Sequence, residues 1–282
     1  MFRASLCAFF LLVQVGPGFA QDYVSKIRQE FLNTHSTSVL VASHRAVHNH
    51  VPENSIPAIK EGIRLGIDIL EIDVKVSKDG IPMLMHDGVI DRTTNGKGDL
   101  EEQLFEDLRK LRLVDKGELT DEKIPTLEEV LTLAKGHIMI DLDLKTDRME
   151  EVIDVIRKTG TSDIVFFFDS DYEVLQLVDQ VDERFMIMPR AYNQAMADSA
   201  IHLFDPEVVH IDPKFYTPSV TKLIKKNNAR VWINALGKSD EKIRAGKIEE
   251  VIDELTIHGA NIIQTDEPEV LLKALKAKGL HW

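Results

Sequence analysis

The residues of this chain that could do chemistry crowd into one stretch, Ser43 to Thr94. They form three polar knots: His44-Arg45, Glu71-Ile72-Asp73 and His86-Asp87. Each knot sits at or near the end of an apolar run that reads as a strand. A soluble fold gains nothing from placing such groups at strand ends unless they meet. Glu71 and Asp73 are two apart, so their carboxylates face the same way on a strand. Asp141, Asp143 and Lys145 repeat that spacing on a later strand. Three or four carboxylates facing one space repel strongly without a cation. Hard oxygen donors with no cysteine suit Ca²⁺ or Mg²⁺. The rival arrangement is a set of buried salt bridges with Arg45, Lys75 and Lys145.

His44 and His86 are the candidates for acid–base work, because imidazole titrates near neutral pH. Arg45 and Lys145 suit a phosphate, the first as a fork and the second as a point charge. Trp232 lies near a strand end, where it serves either core packing or as a substrate platform. His48 and His50 read as exposed loop residues. His35, His137, His202, His210, His258 and His281 read as surface or helix-edge residues.

The elements that would position these groups follow from hydrophobic periodicity. Residues 38–43 read as a first strand, 53–65 as a helix and 67–76 as a second strand. The turn Lys78-Asp79-Gly80 and the run 81–85 form a hairpin that carries His86 back beside Glu71 and Asp73. Residues 88–123 break the pattern and read as a small insertion. Thr126 then caps a helix to Lys135, with Glu129 three residues on. Strands are expected at 137–145, 163–169, 185–190, 207–213, 229–235 and 260–265. Helices are expected at 148–159, 171–182, 193–203, 217–228, 241–258 and 268–278. Eight strand–helix units predict an α/β fold, a (β/α)8 TIM barrel with a small insertion after the second strand and its hairpin. An open doubly wound sheet would carry a glycine-rich loop after its first strand, and none is present.

The first twenty residues form a separate object. Met1-Phe2-Arg3 is a short positive start, Leu6 to Val15 an apolar run, and Gly18-Phe19-Ala20 a run of mostly small residues. This is the pattern of a secretory signal peptide cut after Ala20, so residues 21–282 form a single catalytic barrel domain exported to a periplasm or beyond. The apolar run is too short for a bilayer, which takes about 20 residues, so no stable membrane insertion is expected after its removal. Cys7, the only cysteine, lies inside it, which leaves the mature chain no thiol or disulfide. The formal charge is −13. Such acidity argues against nucleic acid and anionic membranes as partners. It leaves room for a small anionic substrate held by a local basic cluster.

Taken in order, His44-Arg45, Pro52-Glu53-Asn54, Gly66-Ile67-Asp68, Glu71-Ile72-Asp73-Val74, Lys78-Asp79-Gly80, His86-Asp87 and Asp91-Arg92-Thr93-Thr94 closely resemble the successive motifs of the glycerophosphodiester phosphodiesterases. Ile124-Pro125-Thr126-Leu127, Asp143-Leu144-Lys145, Val231-Trp232 and the run from Gly259 to Asp266 are similar too. The resemblance covers nearly all of the mature chain. It implies a TIM barrel and divalent-metal hydrolysis of a glycerophosphodiester to sn-glycerol 3-phosphate and an alcohol. It implies Glu71, Asp73 and Asp143 as metal ligands, His44 and His86 as the acid–base pair, and Arg45 and Lys145 as phosphate contacts. Ala46 stands where the family usually has Gly, and Asp143 where Glu is common. Two rival expectations keep the same site. One is a phospholipase D-like hydrolase of lysophospholipids or sphingolipids, the other a non-catalytic secreted phosphodiester-binding barrel.

Overall fold

The computed structural model describes residues 18–282. Its strands are β1 (Leu40–Ser43), β2 (Ile69–Val76), β3 (Pro82–Leu84), β4 (Val114–Asp115), β5 (Glu118–Leu119), β6 (Met139–Leu144), β7 (Val165–Asp169), β8 (Met186–Ala191), β9 (Val208–Ile211), β10 (Arg230–Asn234) and β11 (Ile262–Thr265). The helices are α1 (Gly18–Leu32), α2 (Ile56–Leu65), α3 (Phe105–Leu108), α4 (Leu127–Ala134), α5 (Met149–Thr159), α6 (Tyr172–Val181), α7 (Gln194–Phe204), α8 (Pro218–Lys226), α9 (Lys238–Arg244), α10 (Ile248–Thr256) and α11 (Pro268–Ala277). β1 pairs in parallel with β11 on one side and β2 on the other, so the parallel sheet closes on itself. The result is the eight-stranded TIM barrel the periodicity predicts. β3 runs antiparallel to β2, with Val74 opposite Leu84, and forms the expected hairpin.

Closure explains why β2 is buried along its whole length. Its outward residues pack beneath α2, where Leu70 comes so close that a Cβ on Gly62 would sit 2.6 Å from it. Glu71 and Asp73 therefore turn inward. In β2–β6 register, Glu71 lies beside Asp141 and Asp73 beside Asp143. Thr126 caps α4 and exchanges hydrogen bonds with Glu129, the expected capping box. The single helix expected over 241–258 is two, α9 and α10. Gly246, at φ +80°, turns the chain between them into the left-handed region that ends a helix.

The segment 88–123 folds over the outside of β3. Ile90, Leu100, Leu108 and Leu113 gather with Met83 and Met85 in a small core of their own. At the opposite end of the barrel, α1 acts as a plug. Val24, Ile27 and Phe31 are buried, and the Phe31 ring lies 4.8 Å from Phe166 inside the barrel. Arg230, fully buried, donates to the carbonyl oxygens of Glu30, Ser38 and Asn261, and burial lowers its pKa to about 10. Asp68 stitches the same end together, accepting from the Val41 amide at 2.8 Å and contacting His281 at 3.0 Å. The Gly66-Ile67-Asp68 motif is therefore structural.

The segment read as a signal peptide lies outside the described residues, except for residues 18–20, which begin α1. No helix among the described residues is long and apolar enough to cross a membrane. The plug yields a stability prediction. Phe31→Ala should destabilise the folded chain by about 3–5 kcal/mol, the usual cost of emptying a buried phenylalanine site. Urea unfolding measures it. A change under about 1 kcal/mol would mean that the barrel floor is sealed without α1.

Candidate active site

The inward strand ends meet in a cavity of about 190 Å³ at the barrel mouth, lined by His44, Glu71, His86, Asp141, Asp143, Lys145 and Trp232 among others. This is the C-terminal face, where barrel enzymes build their sites. Carboxylate oxygens of Glu71, Asp73 and Asp143 lie within 4.8 Å of one another. One Asp73 oxygen and one Asp141 oxygen are buried with no hydrogen-bond partner. Burial pushes Glu71 well above the usual carboxylate range, and the charges of Asp73, Asp143 and Asp141 push it further. Asp141 is raised for the same two reasons. Burial lifts Asp143 to about 6, even though Lys145 opposes the shift.

Two protein cations answer part of this charge. Lys145 donates to Asp143 at 2.7 Å and stands 3.6 Å from Asp73. The Arg45 guanidinium lies 3.7 Å from Asp73, and its backbone N–H donates to Glu71 at 2.6 Å. Asn54 holds Asp73 from both sides. Its amide donates to the carboxylate at 2.8 Å and its oxygen accepts from the Asp73 backbone at 3.2 Å. Lys75, which shares their strand face, instead reaches the Lys145 carbonyl at 2.7 Å. Two cations against four carboxylates, three of them buried and Asp143 partly so, leave the cluster short of positive charge. The unmet oxygen of Asp73 sits where a hard divalent ion would complete it, so these residues fit such an ion.

Both histidines are oriented by aspartates. His44 Nδ1 meets Asp266 at 2.8 Å, and His86 Nδ1 meets Asp87 at 2.6 Å. In each ring Nε2 makes no hydrogen bond among the described residues, while the ring lines the cavity. Burial opposes the charge of Asp266, but the hydrogen bond and charge of His44 hold its pKa below the ordinary value. Arg92 donates to Asp87 and overcomes burial to hold that carboxyl well below its usual range.

Arg92 also grips Glu53 with two bonds of 2.8 Å, and Glu53 accepts from Arg45 at 2.9 Å. An unbroken chain thus runs from Arg45 through Glu53, Arg92 and Asp87 to His86. Sequence alone gives Glu53, Asn54 and Arg92 no individual role, because the bonds of Glu53 to Arg92 and of Asn54 to Asp73 join residues 39 and 19 apart. Asp266 was visible only as a polar strand end.

The remaining candidates divide. Trp232 is fully buried yet lines the cavity, its ring edge-on to Phe166 and its Nε1 donating to Asn234 at 2.9 Å. His48 is half-buried rather than loose, with Nε2 3.8 Å from Asp266. His210 and His281 are buried, which corrects their reading as surface residues. His281 serves the barrel floor, whereas His210 lines the cavity. A buried His in the run Val208–Ile211 is a signal that alternation could have supplied, since Val209 and Ile211 already fill the outward face.

Comparison with known proteins gives the same direction. The profile of the Glycerophosphoryl diester phosphodiesterase family matches residues 44–270. A glycerophosphodiester phosphodiesterase of Caldanaerobacter subterraneus subsp. tengcongensis is 27% identical over 251 residues, spanning 85% of this chain and 99% of the relative. Human glycerophosphodiester phosphodiesterase 1 is 30% identical over 172 residues, covering 60% of this chain and 43% of that protein. An Oleispira antarctica phosphodiesterase, solved in complex with the product sn-glycerol-3-phosphate, superposes with a TM-score of 0.74 at 24% identity, covering 86% of this chain and 99% of that one. With its motifs carried on a closed barrel, this chain belongs to the glycerophosphoryl diester phosphodiesterase family.

Proposed function

We propose that this chain hydrolyses glycerophosphodiesters to sn-glycerol 3-phosphate and an alcohol, by paired general acid–base catalysis beside a divalent metal. One observation carries the reading. Two histidines, each held at Nδ1 by an aspartate with Nε2 left free, line the same small cavity as the carboxylate cluster. A non-catalytic binding barrel has no use for two such dyads. Family membership and the relatives' names support the substrate class.

Glu71, Asp73 and Asp143 would hold Mg²⁺ or Ca²⁺, which supplies Lewis-acid stabilisation of the phosphate's charge. Arg45 and Lys145 bind the phosphate oxygens, and their fixed charges favour the added negative charge of the transition state. The Nδ1–H of His44 donates to the Asp266 carboxylate, so Nε2 presents a lone pair. His44 removes the proton from the attacking hydroxyl. Attack by water gives sn-glycerol 3-phosphate at once, whereas attack by the neighbouring glycerol hydroxyl gives a cyclic phosphate that water then opens. Asp87 orients His86, which gives a proton to the departing alcohol. Trp232 floors the cavity and helps keep water out.

Replacing His44 or His86 by Ala should lower kcat by about 10²–10⁴-fold, the usual general acid–base contribution. A nitrophenyl phosphodiester has a leaving group that needs little protonation. It should restore turnover to His86→Ala and leave His44→Ala slow. Rescue of His44→Ala alone reverses the two roles, and full activity of both variants on the natural substrate defeats the mechanism.

The raised carboxylates give a pH prediction. Asp143 binds its proton more tightly folded than unfolded, so the metal-free chain should lose stability as pH rises from the ordinary carboxylate range through about 6. The penalty is full above that pH. A bound cation displaces the proton, so its affinity should strengthen over the same window and binding should release protons. Calorimetry in buffers of different ionisation enthalpy, with thermal melts at each pH, reads both. Cation affinity that is flat from about pH 5 to about pH 7.5 would falsify this arrangement of ligands.

Export is proposed on the N-terminal pattern alone. A cut after Ala20 leaves the buried Val24, Ile27 and Phe31 of the plug in place. Sequencing the N-terminus of protein recovered from its native source should begin at Gln21. An uncut chain in the cytosol would overturn export.

A further inference from the structure

The cavity has a second wall. β8 and β9 contribute Arg190 and His210, which are neighbours in register, and both residues line the cavity. His210 is 2% exposed, with Phe168 at 5.1 Å and Trp232 at 6.2 Å from its ring. Neither of its ring nitrogens has a hydrogen-bond partner among the described residues. Arg190 is half satisfied. It donates to Asp212 at 2.7 Å and lies 5.0 Å from the Tyr192 ring, but its buried Nε has no partner. Buried polar atoms left unmet cost free energy, and here they cluster on one face of one cavity. Adjacent strands lie about 4.8 Å apart, so the two side chains present themselves to the same part of that space.

The ligand's chemistry follows from charge. Burial, and then the positive charge of Arg190, hold the pKa of His210 well below its usual value. The ring is therefore neutral and offers one N–H donor and one lone pair. An anion would accept from the N–H but leave the ring's lone pair unmet. A quaternary ammonium group would meet the guanidinium. A hydroxyl fits, because it accepts from one group and donates to the other.

Resting on the phosphodiester reading, we propose that Arg190 and His210 form a hydroxyl-recognition subsite for the alcohol portion of the substrate. The pair sets specificity and takes no part in proton transfer. The hydroxyl belongs either to the glycerol half or to the departing head group, and the two sources separate by experiment.

Cation-loaded protein is titrated with sn-glycerol 3-phosphate and with propyl phosphate, which has the same carbon chain and no hydroxyl. Wild type should prefer the former by about tenfold or more, as expected for a site built to bond a hydroxyl. In His210→Phe and in Arg190→Met that preference should collapse to about threefold or less, while His210→Gln, which keeps a donor and an acceptor, should retain part of it. In a second arm, kcat/KM is compared for glycerophosphoglycerol and its glycerophosphopropanol counterpart. If the hydroxyl is the head group's, only this second preference falls in the variants. Preservation of both preferences in both variants, or their absence from wild type, overturns the proposal. Arg190→Met keeps the test decisive if His210→Phe does not fold. The broader reading is judged separately. A wild-type chain that shows the binding preference but hydrolyses no glycerophosphodiester retains the subsite and loses the reaction.

Discussion

Four carboxylates, from Glu71, Asp73, Asp141 and Asp143, face one another across two neighbouring strands inside a closed barrel. Like charges in a medium of low effective dielectric repel far more than in water, and desolvation adds to the cost. The upward displacement of Glu71, Asp141 and Asp143 expresses that cost directly. A stable fold has no reason to assemble such a cluster, since apolar residues of similar size would pack there without penalty. The cluster makes sense as half of a charge arrangement whose other half is positive. Lys145 and Arg45 supply part of it, and a divalent ion with an anionic substrate fits the remainder. The barrel's other features can be understood as means of holding this costly arrangement in place.

The clearest such means is the chain of ionic hydrogen bonds from Arg45 through Glu53 and Arg92 to Asp87 and His86. It joins the loop after β1 to the loop after β3, the two segments that deliver the histidines. Arg92 is half exposed, so no single bond in the chain is worth much in isolation. Arg92 makes paired bonds to both Glu53 and Asp87, and this makes the chain a spacer of fixed shape. The small core of the insertion backs that spacer, since Ile90 and Leu100 anchor the loop from which Arg92 projects. The insertion thus has a physical task at the site although it contributes no residue to the cavity lining.

Much of this was legible in the sequence. Strand alternation put Glu71 with Asp73 and Asp143 with Lys145, and a turn signal followed by a short apolar run placed His86. The count of strand–helix units gave the closed barrel. Local rules sufficed there because each inference concerned residues close in sequence. The misses share the opposite property. Asp266 meets His44 across most of the chain, and Glu53 meets Arg92 across an intervening helix and hairpin. His210 reads as peripheral when it is taken as a lone histidine. Its place opposite Val209 and Ile211 in the strand alternation, with both faces of a barrel strand covered, is what turns it inward. The division of 241–258 into two helices turned on Gly246, a residue that a helix tolerates until tertiary packing demands a turn.

The loop after β1 shows what the site costs in backbone terms. Arg45, Ala46 and Asn54 all adopt left-handed conformations, at φ +50°, +61° and +51°. For residues with a Cβ such conformations cost about 1–2 kcal/mol each. Glycine at position 46 would adopt that angle freely. Alanine survives because hydrogen bonds over-determine the turn. Its N–H donates to the Glu71 carbonyl at 2.9 Å, and its carbonyl accepts from the Ser43 hydroxyl at 2.9 Å. The Arg45 carbonyl accepts from the Asn54 backbone at 3.0 Å, while the Arg45 N–H is spent on the Glu71 carboxylate. The strained turn is therefore bonded to the same glutamate that heads the acidic cluster. Charge on Glu71 strengthens the bond from Arg45, and that bond fixes the backbone from which the guanidinium and His44 both extend. The electrostatics of the cluster and the geometry of the loop after β1 are one problem, solved at one residue.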